Sequence, residues 1–238
     1  MKLPWLICIS ILLSCRQENR IPIKQGNAAV NPLPTSRKVR PGYDRMKSAV
    51  QLRKKLLQKR YPGDLNTSSI IELQKEFVAI LVDSILPYWY GTPWDFNGTT
   101  QKPGEGSIAC GYFITTVLQD CGLPIRRVKM AQCASQELVY DLVKKNPGKI
   151  FRNDSLAHFI DYIKSQGFGV YVVGLDSHVG FLYHDGSEVY FIHAKWVNPK
   201  AVLKEVAAQS SVLYYSSYRV VGKISDDEMF LKRWLQGQ

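Results

Sequence analysis

Residues 177–194 read SHVGFLYHDGSEVYFIHA, and this stretch decides the fold that the sequence predicts. Two runs with alternating apolar residues flank Asp185-Gly186, a dipeptide typical of two-residue β-hairpin turns. Pairing outward from that turn sets His178 directly opposite His193 on one face of the sheet, provided that no β-bulge interrupts the hairpin. Opposed Cβ atoms lie about 4.5–5.5 Å apart, so the two imidazoles are predicted to hydrogen-bond.

The rest of the chain predicts helices before this hairpin and strands around it. Upstream, a capping box at Ser69 opens a helix that stops at Pro87, and a loop rich in Gly, Pro, Thr and aromatic residues follows. The other predicted elements are helices over 108–120, near 135–145 and near 155–166, strands over 170–174 and 212–223, and a last helix capped by Asp226. This order indicates an α+β fold with an antiparallel sheet.

The positive charge of the chain is concentrated near its N-terminus. The net charge is +11, and residues 16–60 contain 13 Lys and Arg against 2 Asp and Glu, whereas residues 61–238 contain 17 against 18. The body of the protein is therefore nearly neutral, so no nucleic-acid partner is expected. The basic segment near the N-terminus could contact anionic lipid headgroups or cell-wall polymers.

Residues 1–15, MKLPWLICISILLSC, have the pattern of an export signal. A Lys precedes an apolar run that is too short to span a bilayer, and the run ends at Cys15. This ending resembles a bacterial lipobox, which implies cleavage before Cys15 and lipidation of that residue. The alternatives are an ordinary signal peptide and a buried apolar terminus. The lipoprotein interpretation predicts a lipid-anchored protein of the bacterial cell envelope, on its periplasmic or extracellular face.

Two segments separate this leader from the body, residues 67–238. Residues 16–44 contain several prolines and little periodicity, and they are predicted to form a tether. Residues 45–66 place apolar residues at helical spacing among Lys and Arg, which predicts a basic amphipathic helix. The helix could dock on the membrane or the wall, or it could pack on the body with a solvated basic face.

Paired imidazoles need a chemical partner, and Cys110 is the candidate. It stands near the predicted start of a helix, behind a Gly-rich loop. A helix N-terminus and a nearby imidazolium both lower the pKa of a thiol, and a Cys–His pair with a third orienting group is the logic of thiol hydrolases. No metal or organic cofactor is expected, because the wide separation of Cys110, Cys121 and Cys133 is unlike compact zinc spacings.

The other two cysteines of this region have structural explanations. Cys121 falls on the same helical stripe as Cys110 and is predicted to lie in the core. Cys133 could form a disulfide with Cys121 in an oxidising envelope, although two buried free thiols are the favoured interpretation.

Three separated motifs resemble the NlpC/P60 superfamily of papain-like cell-wall hydrolases, over roughly residues 77–196. Residues 91–98, GTPWDFNG, resemble the G-T-P-Y-x-x-G-G loop of that family, and residues 109–113, ACGYF, resemble the D-C-S-G-F motif that opens its nucleophile helix. Residues 178–181, HVGF, and 191–194, FIHA, resemble H-V-G-I and F-I-H-A on adjacent strands. The order and spacing of the motifs make the resemblance more specific than any one of them.

The resemblance implies a papain-like fold, with N-terminal helices and a nucleophile helix packed on the antiparallel sheet. It implies that Cys110 is the nucleophile and that His178 is first the general base and then the acid that protonates the leaving amine. His193 would hold the ring and the tautomer of His178. The backbone N–H of Cys110 would meet part of the oxyanion charge.

The departures from the family motifs concern the cleft. Trp94 takes the position of an active-site Tyr, and Trp94, Asp95 and Gly111 are expected to bind substrate. Ala109 replaces the Asp that precedes the nucleophile, and Gly111 replaces a Ser. These changes leave the catalytic groups in place, so the sequence defines the reaction better than the substrate.

Three functions follow from these features. The first is an envelope-anchored cysteine peptidase or amidase that cleaves amide bonds, in peptidoglycan stem peptides, through a thioester intermediate. The second is a papain-like thiol hydrolase or acyltransferase that acts on a lipid or on another amide or ester. The third is a catalytically inactive envelope binding protein. Peptidoglycan peptide and the membrane are the expected partners, and the sequence does not predict an oligomeric state.

Overall fold

The structure is a computed structural model that describes residues 42–144 and 148–237. Within them, the helices are Tyr43–Arg60 (α1), Thr67–Val78 (α2), Leu86–Trp89 (α3), Cys110–Asp120 (α4), Arg127–Ala131 (α5), Ser135–Leu142 (α6), Leu156–Ser165 (α7), Ser211–Tyr214 (α8) and Glu228–Gln236 (α9). The strands are Lys149–Arg152 (β1), Gly169–Leu175 (β2), Val179–His184 (β3), Val189–Ala194 (β4), Val202–Val206 (β5) and Tyr218–Lys223 (β6). A π-helical segment, Ala79–Ile85, joins α2 to α3.

The six strands form one sheet in the order β1-β6-β2-β3-β4-β5, and every neighbouring pair is antiparallel. The leading helices come before the sheet in the chain, and α4 contacts β3 and β4. The predicted α+β class with an antiparallel sheet is therefore confirmed.

Both faces of the sheet are covered, which defines two apolar clusters. The first-face cluster joins α4 to alternate strand residues, and Phe113 of α4 lies with its ring centroid 6.0 Å from that of Phe181 on β3. The second-face cluster contains the other alternate residues, such as Leu182 and Phe191, together with α7. β2 is buried along its whole length because it lies in the middle of both clusters.

The turn of the β3–β4 hairpin contains four residues, not the two that were predicted. The closing pair is His184 with Val189. The carboxylate of Asp185 explains the wider turn, since its Oδ1 accepts hydrogen bonds from the backbone N–H groups of Ser187 and Glu188, each at 2.8 Å. The carboxylate thereby satisfies two N–H groups that a two-residue turn would have placed differently.

The wider turn shifts the pairing of the two histidines by two residues. Continuing the observed register sets Gly180, and not His178, opposite His193, so the histidines are diagonal neighbours. Side chains alternate between faces with a period of two, and therefore a shift of two residues keeps both imidazoles on the same face. Gly180 is required here, because a Cβ on it would lie 2.4 Å from the ring of Phe191 and 3.0 Å from the Cβ of His193.

The helix that leads to the loop also differs from prediction. Its N-cap is Asn66, and Ser69 is the third helical residue of the capping box. The helix does not stop at Pro87, because the preceding turns widen to π-helix and Pro87 then takes a place in the first turn of α3. A proline is tolerated in a first turn, where its missing N–H would have no intrahelical partner.

Three further predictions on the C-terminal half are corrected. Residues 212–223 were predicted as one strand, but α8 occupies the beginning of this stretch and β6 only its end. The last helix is capped by Asp227 and not by Asp226, since the Asp227 carboxylate accepts from the N–H of Phe230. β1 and β5 were not predicted, because each is short and carries charged residues that weaken its alternation.

The basic helix α1 packs on the body. Its buried residues are Tyr43, Val50, Lys54 and Leu57, and the Lys54 ammonium donates to the Gly122 carbonyl at 2.6 Å. The helix begins two residues before the predicted boundary at 45. Leader 1–15, with its lipidation candidate Cys15, and the tether up to residue 41 lie outside the described residues. In residues 42–144 and 148–237, no helix is long and apolar enough to cross a membrane.

Candidate active site

Cys110 is the first residue of α4. Ala109 is extended and provides no side-chain cap, so the helix opens directly at the cysteine. The Sγ atom is partly enclosed and faces backbone N–H groups of Val179, Gly111 and Cys110 itself. The N–H groups of Cys110 and Gly111 belong to the helix start that the sequence predicted, and the N–H of Val179 comes from the beginning of β3.

Cys110 and His178 line one cleft of about 320 Å³. Its walls come from the start of α4, from the segment around Cys133, Ala134 and Ser135, and from the Asp176-Ser177-His178 turn between β2 and β3. The cleft therefore brings together two of the three residues that the sequence assigned to catalysis.

His178 and His193 form the hydrogen bond that the sequence predicted. Nε2 of His178 lies 2.9 Å from Nδ1 of His193, and the rings are nearly perpendicular, with centroids 5.1 Å apart. Both side chains are buried, at 2% and 0% exposure. Phe191 stacks on His193 with centroids 3.9 Å apart, which holds the second imidazole in place.

Glu205, on β5, extends this pair into a chain of three groups. Its Oε1 lies 3.2 Å from Nε2 of His193, and its Oε2 accepts from the Lys195 ammonium at 2.8 Å. Burial raises the pKa of Glu205, but hydrogen bonds from His193, Lys195 and Ser210 outweigh burial and lower that pKa to about 2. Glu205 is therefore a carboxylate at any physiological pH.

The charge of Glu205 fixes where the protons of both imidazoles lie. A carboxylate only accepts, so Nε2 of His193 must carry the hydrogen of that bond. In neutral His193, Nδ1 then has a lone pair and accepts from Nε2–H of His178. Neutral His178 is left with an unprotonated Nδ1, which makes no hydrogen bond within the described residues. That nitrogen has the lone pair that a general base requires.

The imidazole of His178 and the thiol of Cys110 face different apolar clusters. The ring of His178 contacts Trp196 at 4.7 Å and Phe191 at 6.2 Å between centroids, both associated with the second-face cluster. Cys110 packs against the first-face cluster. Within the described residues, no hydrogen bond joins the thiol to the imidazole. The two groups approach each other around the beginning of β3, where His178 lines the cleft.

The protonation of the resting pair differs from the expectation of a lowered thiol pKa. Burial raises the pKa of Cys110, and the N–H groups around the sulfur only partly offset it. Burial, and then the neighbouring His193, lower the pKa of His178 well below its ordinary value. The resting site therefore holds a neutral thiol and a neutral imidazole, because too little water reaches either group to stabilise an ion pair.

We expect the alkylation rate of Cys110 by iodoacetamide to rise steeply with pH. Only the thiolate reacts. Because the thiol pKa is raised, the rate should increase about tenfold per pH unit until the pH exceeds the pKa of an ordinary thiol. Stopped alkylation at several pH values, followed by mass spectrometry of the peptide that contains Cys110, measures this. A rate that is already at its plateau at neutral pH would contradict the neutral resting pair.

The three residues predicted to bind substrate have different locations. Gly111 lines the cleft beside the thiol. Trp94 and Asp95 are not among the cleft-lining residues: the Asp95 carboxylate accepts from the N–H of Asn97 within its own turn, and the Trp94 ring lies 6.0 Å from the Lys200 ammonium. The Trp94 indole N–H is buried and has no hydrogen-bond partner within the described residues.

The absence of a side chain at Gly111 also has a structural reason. A Cβ on Gly111 would lie 2.2 Å from the carbonyl oxygen of Ala131, so α5 approaches α4 more closely than any other residue type would permit. We expect Gly111→Ala to lower the free energy of unfolding by about 3 kcal/mol, because backbone must move. Urea unfolding measures it, with Gly63→Ala as the control, since a Cβ on Gly63 meets no atom within 4 Å. Equal losses in the two variants would contradict this role.

The remaining cysteines are free. Cys121 is buried, with its thiol pKa raised by burial, and the Cys133 thiol donates to the Lys129 carbonyl at 3.3 Å. The two do not form the disulfide that the sequence left open. In the part of the chain that the structure describes, no group of three His, Cys, Asp or Glu side chains could hold a metal ion.

Glu205 and Lys195 are the site residues that sequence reasoning missed. The signal was weak: Glu205 is one carboxylate in the short run VLKEV, on a strand that was not predicted. Its place follows from the β4–β5 register, which pairs Phe191 with Glu205 and thus sets the carboxylate diagonal to His193.

Comparison with known proteins found no relative of this chain. No family model, no curated protein and no solved structure matches the chain. The function is therefore inferred from the residues and their arrangement.

Proposed function

We propose that the chain is a cysteine hydrolase of the papain-like NlpC/P60 type that cleaves amide bonds. The observation that carries the proposal is the chain Glu205–His193–His178, which leaves an unprotonated Nδ1 on a histidine that lines the same cleft as Cys110. A buried chain of hydrogen-bonded titratable groups beside a cleft is typical of sites that transfer a proton.

In the proposed reaction, Nδ1 of His178 takes the proton of the Cys110 thiol as the sulfur attacks the amide carbonyl carbon. The oxyanion that forms is met by backbone N–H at the start of α4. His178 then gives its proton to the amine nitrogen, the C–N bond breaks, and a thioester remains on Cys110. Water, deprotonated by His178, attacks the thioester and releases the acid and the free thiol.

The neutral resting pair fits general-base catalysis better than a preformed thiolate. Proton transfer would take place when bound substrate excludes water and brings the thiol within reach of Nδ1. Catalytic hydrogen bonds are often long or absent before substrate binds and tighten in the complex. A small movement of the turn at 176–178 would bring Nδ1 of His178 closer to the Cys110 sulfur, since this turn lines the cleft and precedes β3.

Peptidoglycan stem peptide is the proposed substrate. The leader and Cys15 would place the enzyme in the bacterial envelope, on a lipid anchor, beside this substrate. The motifs around residues 91–98, 109–113, 178–181 and 191–194 resemble those of cell-wall hydrolases. These features, and not the cleft alone, favour a wall peptide over other amides.

The test is digestion of purified sacculi by the protein, with products identified by mass spectrometry. We expect muropeptides that have gained one water per cleaved amide, with a new amine and a new carboxyl end. Release of the same fragments without added protein, or no release at any protein concentration, would reject the peptidoglycan substrate.

A hydrolase or acyltransferase acting on a lipid is the second candidate, and one observation favours it. A second cleft of about 460 Å³ lies on the other side of His178 and has mainly apolar walls, including Trp196, Val197, Val212 and Tyr215. An acyl chain would fit such walls. Lipid extracts treated in parallel with the sacculi separate the two, because ester or amide cleavage in the extract alone supports the lipid substrate.

A further inference from the structure

The exposed side of α1 lies opposite the residues that the helix buries against the body. The helix buries Tyr43, Val50 and Leu57 at intervals of seven residues, with Lys54 between the last two. At 3.6 residues per turn, the opposite side is the line Arg45, Ala49, Leu52, Leu56 and Lys59, with Lys55 beside it. We call this line of six residues the outer stripe.

The outer stripe combines exposed leucines with basic residues. Leu52 is 61% exposed and Leu56 is 58% exposed, one helical turn apart at its centre. Arg45, Lys55 and Lys59 surround them and are exposed. Apolar side chains between basic ones are what an interfacial helix presents to a membrane.

The charges of the stripe differ from the other charges of α1. Arg53 pairs with Glu76, Arg60 pairs with Glu72, and Lys47 pairs with Asp120, so the flanks of the helix are neutralised by the body. Arg45, Lys55 and Lys59 form no ion pair with any described residue. Among the described residues of α1, the uncompensated positive charge therefore lies on the side that carries the exposed leucines, which calls for an anionic partner.

We propose that the outer stripe of α1 docks on a membrane surface of anionic phospholipid. Leu52 and Leu56 enter the boundary between headgroups and acyl chains, and Arg45, Lys55 and Lys59 contact the phosphates. The packing of α1 through its opposite side fixes the orientation of the body, and with it the cleft, relative to the bilayer. This contact does not depend on the lipid at Cys15 or on the proposed hydrolase activity.

The test is sedimentation with vesicles of the chain from residue 15 onward, carrying Cys15→Ser, so that neither the apolar leader nor an acyl chain is attached. Phosphatidylcholine vesicles with phosphatidylglycerol are compared with phosphatidylcholine alone. We expect preferential binding to the anionic vesicles, weakened by salt. Lys55→Gln/Lys59→Gln should lower the partition coefficient by about 25-fold, at about fivefold per charge. Leu52→Ser/Leu56→Ser should lower it by about tenfold or more.

The matched control is Arg126→Gln/Lys129→Gln, which removes the same charge from exposed residues outside α1. It should bind like the parent. Equal binding to both kinds of vesicle, an equal loss in the control, or full binding by the Leu52→Ser/Leu56→Ser variant overturns the proposal. Retention on wall polymers without binding to anionic vesicles overturns it in favour of the wall.

Discussion

Replacing Cys110 by Ala should lower the rate of amide hydrolysis by about 10⁴-fold or more, because the Cys110 sulfur is the atom on which the proposed thioester forms. The fold should be retained, since the side chain is small, partly exposed and makes no hydrogen bond to another side chain. Turnover of sacculi or of isolated muropeptides, measured at equal protein concentration and corrected for trace contamination, gives the ratio. Thermal unfolding of the same preparations gives the stability.

Cys133→Ala is the control for this variant, because Cys133 lines the same cleft and is also a free thiol. It should keep near-parental activity. If Cys110→Ala hydrolyses sacculi as fast as the parent, the proposed hydrolase is wrong. If Cys110→Ala and Cys133→Ala lose activity equally, the loss reflects the shape of the cleft and not a nucleophile.

The hairpin shows how much of the site the sequence could predict. Alternation along the two strands assigned His178 and His193 to one face, and that assignment survives an error in the turn, because the error was an even number of residues. The pairing itself was wrong because Asp185 stabilises a four-residue turn through its carboxylate. A shift of one residue would have moved one histidine to the first face and removed the hydrogen bond.

The groups beyond the hairpin could not be predicted in this way. Glu205 reaches His193 across β4 and β5, and that pairing depends on a strand with little alternation. Burial decides the protonation of Cys110 and His178, and burial comes from helices and loops that are distant in sequence. The position of Cys110 at a helix start was therefore predicted correctly, but the lowered pKa of its thiol was not, because burial raises that pKa.

The buried residues of α1 also differ from those that the sequence pattern predicts. Helical spacing predicted an amphipathic helix, yet Leu56 is exposed and Lys54 is buried. The Lys54 ammonium reaches the Gly122 carbonyl, which satisfies its charge in a place where spacing alone predicts an apolar side chain. Helical spacing in the sequence predicts that one side of α1 is buried, but the packing of the helix on the body decides which residues form that side.

Glu205→Gln should lower kcat/KM on the order of 10³-fold, although the side chain keeps its shape. Lys195 is the reason. Its ammonium needs an acceptor, so the amide oxygen of the glutamine turns toward Lys195 and the amide NH₂ faces His193. Nε2 of His193 must then accept, its Nδ1–H donates to His178, and the remaining proton of His178 moves to Nδ1. His178 then has no lone pair on Nδ1, the atom that acts as the base in the proposed reaction.

A second substitution separates this tautomer effect from a loss of charge or of fold. In Glu205→Gln/Lys195→Met the ammonium is gone, so the amide oxygen can turn back to His193 and restore the original direction of both hydrogen bonds. We expect the double variant to recover about tenfold or more of the lost activity, since orientation returns but the carboxylate charge does not. Lys195→Met alone should change activity little.

NMR of the nitrogen-labelled imidazoles should find the His178 proton on Nδ1 in the single variant and on Nε2 in the parent and the double variant. If the proton stays on Nε2 in all three while activity falls equally in the single and double variants, Glu205 acts through its charge and not by setting the tautomer of His178.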